Sequence, residues 1–140
     1  MEKATGVIAC QLPRVWASKR EEAMNRSNDA FDFAIRIAEL VRYLREKPER
    51  FPLCPELLNA GVRAGMAVRD IDDLDGEAEQ ARSREAVKAI DEASYYLDMA
   101  VHSGYLTELE ASHVVRDAAE LRAEFSRDLP SGIPHEGAAP

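Results

Sequence analysis

The chain has 140 residues, of which 46% are apolar and 31% charged, with a formal net charge of −8. That balance suits one globular domain with a single core and excludes a disordered chain. Residues 1–28 hold five bases against three acids and residues 29–129 hold 22 acids against 13 bases, so an acidic body argues against a general nucleic-acid binder.

Residues 1–27 show no sustained period and contain Gly6, Pro13 and the basic pair Lys19-Arg20. They are expected to form a flexible N-terminal arm. Trp16, beside Val15 and Leu12, is expected to pack on the body or on a neighbouring subunit. Val7-Ile8-Ala9-Cys10 has the look of a lipoprotein cleavage box, but the apolar stretch before it is shorter than the ~7–15 residues of an export segment. No run reaches the ~20 apolar residues of a membrane span. Cys10 and Cys54 make no metal-ligand spacing, and two such thiols suit a reduced, cytoplasmic protein.

A first helix is predicted from Ser27 or Asn28, with Phe31, Ile35, Ala38, Val41 and Leu44 as its stripe and Ile37 and Leu40 flanking it. Lys47-Pro48 ends it. A second helix, about residues 55–71, begins at Pro55. Its stripe is Leu58, Val62, Gly65 and Val68, and the small residues Ala60, Gly61, Ala64 and Ala67 permit close approach. Residues 70–84 read as a charged connection. A third helix starts at the capping residue Ser83, carries Val87, Ile90, Ala93/Ser94, Leu97 and Ala100/Val101, and stops at Gly104. Thr107 caps a fourth with Glu110 three residues on, a capping box, followed by Ala111, Val114/Val115, Ala118, Leu121 and Phe125. Pro130, Gly132 and Pro134 mark a disordered tail over residues 130–140. The fold class is therefore all-α, an antiparallel up-down-up-down four-helix bundle over residues 28–129.

The chemistry-bearing patterns are sparse. Glu110-x-x-His113 has the spacing of a ferritin-like ligand pair, yet no second pair exists, so no metal is expected. The acidic run Asp70–Glu77 fails the calcium-loop register, since position 1 would be Ile71 and position 12 Arg82. His102, Ser103 and Tyr105 lack a nucleophile–base–orienter set, and Tyr95, Tyr96 and Tyr105 suit packing better than base stacking. Neither enzyme activity nor a cofactor is expected. Arg36, Arg42, Arg45, Arg50, Arg63 and Arg69 are the one set able to form a basic strip for nucleic acid or a partner. The plainer reading is ion pairing along the helices with Glu39, Glu46 and Glu49.

Phe51-Pro52, Glu56-Leu57 and Gly61-Val62-Arg63-Ala64, then Glu92-Ala93-Ser94-Tyr95-Tyr96-Leu97 and His102-Ser103-Gly104-Tyr105-Leu106, resemble the four-helix-bundle proteins encoded in 23S ribosomal RNA intervening sequences. The resemblance covers about residues 29–127. It implies a bundle that assembles into ring-like homopentamers. A related branch implies an accessory role in diversity-generating retroelements, where a basic pentamer holds a reverse transcriptase and its RNA. The chain departs from the pattern at Arg69-Asp70-Ile71-Asp72-Asp73, where Asn-Ile-Ala-Glu-Gly is common, and in its acidic body. Both departures weigh against direct RNA contact.

The expected function is that of a non-enzymatic, oligomeric accessory or adaptor protein, with a reverse transcriptase or other nucleic-acid enzyme as its partner. The alternative is a structural protein–protein module with no nucleic acid. The first helix is apolar on more than one face, a surplus that calls for a second partner. Gly61 and Ala64 are expected at a packed helix or a subunit contact, and Trp16 is the further candidate for a subunit contact.

Overall fold

A computed structural model describes residues 26–127 and 129. The expected arm and tail, with Trp16, lie outside them. Four helices follow in order: α1 (Arg26–Arg45), α2 (Cys54–Ala67), α3 (Gly76–His102) and α4 (Glu108–Ser126), with a 3-10 turn at Ile71–Asp73 between α2 and α3. Each packs on the next, and α4 closes against α1. With connections this short the bundle is antiparallel and up-down-up-down. Among the described residues there is no strand.

Local chemistry sets the ends. The Thr107 hydroxyl accepts from the Glu110 N–H at 3.0 Å, and the Glu110 carboxylate accepts from the Thr107 N–H at 2.9 Å, so the predicted capping box is present. Gly104 takes φ +88° just after α3, a left-handed conformation that costs a side chain dearly. Pro55 lies in the first turn of α2, where its missing N–H is no loss.

The core is aliphatic with three phenylalanine rings, Phe33, Phe51 and Phe125. Phe33, Ile37, Val41 and Leu44 of α1 meet Leu57, Ala60 and Ala64 of α2, Ile90, Ala93 and Leu97 of α3, and Val114, Leu121 and Phe125 of α4. Two predicted faces need correction. On α1 the core stripe is Ala30, Phe33, Ile37, Val41 and Leu44, while Phe31, Ile35 and Ala38 face outward. On α2 it is Leu57, Ala60, Gly61 and Ala64, with Val62 outward. Both helices carry enough apolar residues for two stripes, and the one that fits the close α1–α2 approach is buried.

The start of α3 also differs. It begins at Gly76, seven residues before the predicted cap, and Ser83 is fully buried inside it. The stretch Glu77–Arg82 is charged but made of good helix formers, so it extends α3 rather than linking it.

The α1–α4 edge is closed largely by polar groups. Arg36 pairs with Asp117, the Tyr43 hydroxyl donates to Glu110, and Lys47 sits 3.6 Å from Glu110 while donating to the Tyr105 carbonyl at 2.7 Å.

Candidate functional site

Because α1 buries its Phe33 face, its second apolar stripe is left on the outside next to that of α2. Phe31 (46% exposed), Ile35 (37%), Val62 (41%) and Met66 (66%) are the large side chains there. With Ala34, Ala38 and Gly65 as its small-residue floor, this face forms a groove of about 480 Å³ running from Ser27 and Asn28 at one end, with Arg69 at its rim. A run of large apolar groups on two adjacent helices differs from scattered exposure, and such a face marks an interaction surface.

Of the two places expected for Gly61 and Ala64, a packed helix or a subunit contact, the structure has the first. Gly61 and Ala64 are buried in the chain's own α1–α2 seam rather than offered to a second copy. A Cβ at Gly61 would come within 2.9 Å of Ile37 Cβ and Cγ2. The small residues thus bring α1 and α2 together inside one subunit. That closeness in turn sets the outer groove.

The arginines do not gather into a strip. Arg36 is tied to Asp117 on the α4 side of α1. Arg63 is tied to Glu92 on α3, with Nε donating to Asn59 at 2.6 Å. Arg42 and Arg45 lie in the last turn of α1, whereas Arg69 lies beside Ser27 and Asn28 at its beginning, some 20–25 Å away at 1.5 Å per residue. Arg36 and Arg63 thus pair between helices, and among the described residues no ion pair joins an arginine to Glu39, Glu46 or Glu49 at i, i+4. Arg122 likewise binds Asp91 across α3–α4 at 2.6 Å.

The remaining candidates resolve into structural roles. Glu110 is engaged by Thr107, Tyr43 and Lys47, and the Tyr43 hydrogen bond, with the cap, holds its carboxyl below the usual range. His113 Nδ1 lies 3.0 Å from Arg116 Nη2. Among the described residues no cluster of three His, Cys, Asp or Glu is placed to hold a metal. In the Asp70–Glu77 run, Asp70 is bound by Arg82 and Asp72 lies 4.0 Å from Arg26. Tyr105 packs on Phe51 with ring centroids 5.2 Å apart, and His102 Nδ1 lies 2.9 Å from the Asp98 carbonyl one turn back. Tyr95 departs from the packing expectation, being 62% exposed on α3 with its edge against Tyr96. Burial pushes the Cys54 thiol up, which keeps it protonated and unreactive.

A second surface feature was missed in the sequence. Asp29, Asp32, Asp117, Glu120 and Glu124 share the α1–α4 groove with Arg36. Burial, then the neighbouring Asp29, pushes the Glu124 carboxyl up to about 7. Acids spaced along two different helices give no local pattern, so only packing brings them together. Among the described residues no helix is long and apolar enough to cross a membrane.

No protein-family model and no curated protein matches the chain. Among solved structures it is similar to the crystal structure of a Bacteroides thetaiotaomicron protein with unknown function from the S23 ribosomal protein family. The TM-score is 0.67 at 19% identity, over 74% of this chain and 96% of that one. At that identity the likeness shows a shared fold.

Proposed function

We propose that the protein is a non-enzymatic helical adaptor that self-associates through the outer face of α1 and α2 and serves as an accessory to a larger nucleic-acid enzyme, such as a reverse transcriptase. The observation that carries this reading is the exposed apolar groove of Phe31, Ile35, Val62 and Met66. The solved structure of similar fold comes from a protein of the S23 ribosomal protein family, and the sequence resemblance points to ring-like assemblies, which fits an oligomeric role.

The rival reading, a protein–protein module that never meets nucleic acid, is favoured by a specific observation. Arg36 and Arg63 are already held by carboxylates, and the body carries a large excess of acids. Contact with RNA then depends on an assembled surface rather than on one subunit.

Light scattering at micromolar concentration tests the shared claim, and the expected mass is a multiple of 15.6 kDa. A monomer would overturn it. Retention of RNA that weakens steeply between about 50 and 200 mM salt supports the accessory role, since phosphate contacts release counterions. An oligomer with no such retention establishes the protein-only module instead.

A further inference from the structure

We infer that the occupant of the α1–α2 groove is the Leu12–Trp16 segment of a second copy of this chain, an inference that rests on the self-association proposed above. Ile35, Val62 and Met66 wall a groove of about 480 Å³. That is the size of a small ligand site, ~300–1,000 Å³, and suits a few side chains rather than a whole helical face. Leu12, Val15 and Trp16 are the right size of ligand. Their i, i+3, i+4 spacing would put them on one side of a helical turn, the mode by which an amphipathic segment enters a groove.

Chain continuity decides between the chain's own groove and a neighbour's. The groove ends at Ser27 and Asn28, in the first turn of α1, so the upstream chain joins the body at that end of the groove. Residues 17–25 contain neither Gly nor Pro and include Lys19, Arg20, Glu21, Glu22, Ala23 and Met24, all good helix formers. As a helix such a stretch would carry the chain onward by ~14 Å, and it lacks the Gly and Pro that most strongly favour a tight reversal onto the same groove. The arm as a whole suits the approach to an acidic neighbour, since residues 1–28 have a basic excess and residues 29–129 an acidic one. One copy's segment on the next copy's groove is a heterologous contact, which propagates head to tail and closes into a ring where the rotation allows.

Trp16 is the chain's one tryptophan, so its fluorescence reports this contact alone. In the full chain its emission should be blue-shifted and protected from quenching, and should turn red on dilution as the scattering mass falls toward 15.6 kDa. Met66→Asp on the groove and Val15→Asp on the segment should each give a monomer with an exposed Trp16 while keeping the wild-type helical circular dichroism. Val62→Lys serves as the second groove variant. An oligomer that survives Val15→Asp overturns the segment as occupant and leaves self-association standing. Trp16 protected in a monomer places the segment in its own groove, against the inference. A wild-type monomer with exposed Trp16 defeats both readings.

Discussion

Gly61 and Ile37 meet across the α1–α2 seam with no space for a methyl group between them: an added Cβ would lie 2.9 Å from two carbons of the isoleucine. Those carbons are Cβ and Cγ2, close to the α1 backbone, so they yield only if the helices part. Gly61→Ala should therefore destabilise the bundle by about 1–2 kcal/mol. Overpacking of ~1–3 kcal/mol is offset in part by the better helix propensity of alanine. Gly65 lies one turn on, and its added Cβ would meet nothing nearer than the Ala30 carbonyl at 3.5 Å. Gly65→Ala should then stabilise by about 0.4–1 kcal/mol. Urea unfolding of the two variants gives opposite signs if the seam is as close as described.

Leu97 is fully buried in the middle of α3, in the cluster that joins all four helices. Leu97→Ala should cost ~2–5 kcal/mol, because the rigid surroundings close only part of the cavity. A thermal midpoint equal to wild type would show that α3 presents a different face to the core.

Glu110 and His113 offer a tempting ligand pair, yet both are committed elsewhere. The carboxylate serves the Thr107 cap and the Tyr43 hydroxyl, and His113 faces Arg116. Protein purified without chelator should contain no stoichiometric iron, manganese or zinc by elemental analysis. One equivalent of metal, lost in His113→Ala, would overturn this assignment. Thr107→Ala should instead cost ~1 kcal/mol through the lost cap.

What the sequence made legible is the chemistry that acts over three or four residues. The Thr107–Glu110 box, the Gly104 stop and Pro55 at the start of α2 each need only their neighbours, and each is found as expected. Faces were harder to read. Phe31 and Phe33 both recur with aliphatic partners at helical spacing, and only the Gly61–Ile37 approach decides that Phe33 goes in. The same ambiguity hides the candidate surface, since the spacing of Phe31 and Ile35 fits a core stripe equally well. Ser83 looked like a cap because it is polar and precedes an apolar stripe, yet packing buries it one and a half turns or more inside α3. The ion pairs Arg36–Asp117 and Arg63–Glu92 join residues 81 and 29 positions apart, beyond any local rule.

Glu124 should make the bundle less stable as pH rises through neutrality. Burial against α1 and the nearby Asp29 push its carboxyl up to about 7, and Arg26 and Arg127 offset only part of that. In the unfolded chain the same group titrates near its ordinary 4.5. Below 4.5 it is protonated in both states and contributes no pH dependence. Between 4.5 and about 7 the folded form holds a proton that the unfolded form has lost, so stability declines steadily with rising pH. Above about 7 the folded protein carries the ionised group beside Asp29 and the loss is complete. Because the two carboxyls interact, the titration belongs to the pair. Glu110 works in the opposite sense, since its lowered value withdraws stability only as pH falls below the ordinary carboxylate range. Thermal midpoints at about pH 5.5 and pH 8 should differ in the wild type, with the lower pH more stable. In Glu124→Gln, which keeps the shape and removes the charge, that difference should shrink and the pH 8 midpoint should rise. An unchanged difference in the variant would assign the neutral-range dependence to another group.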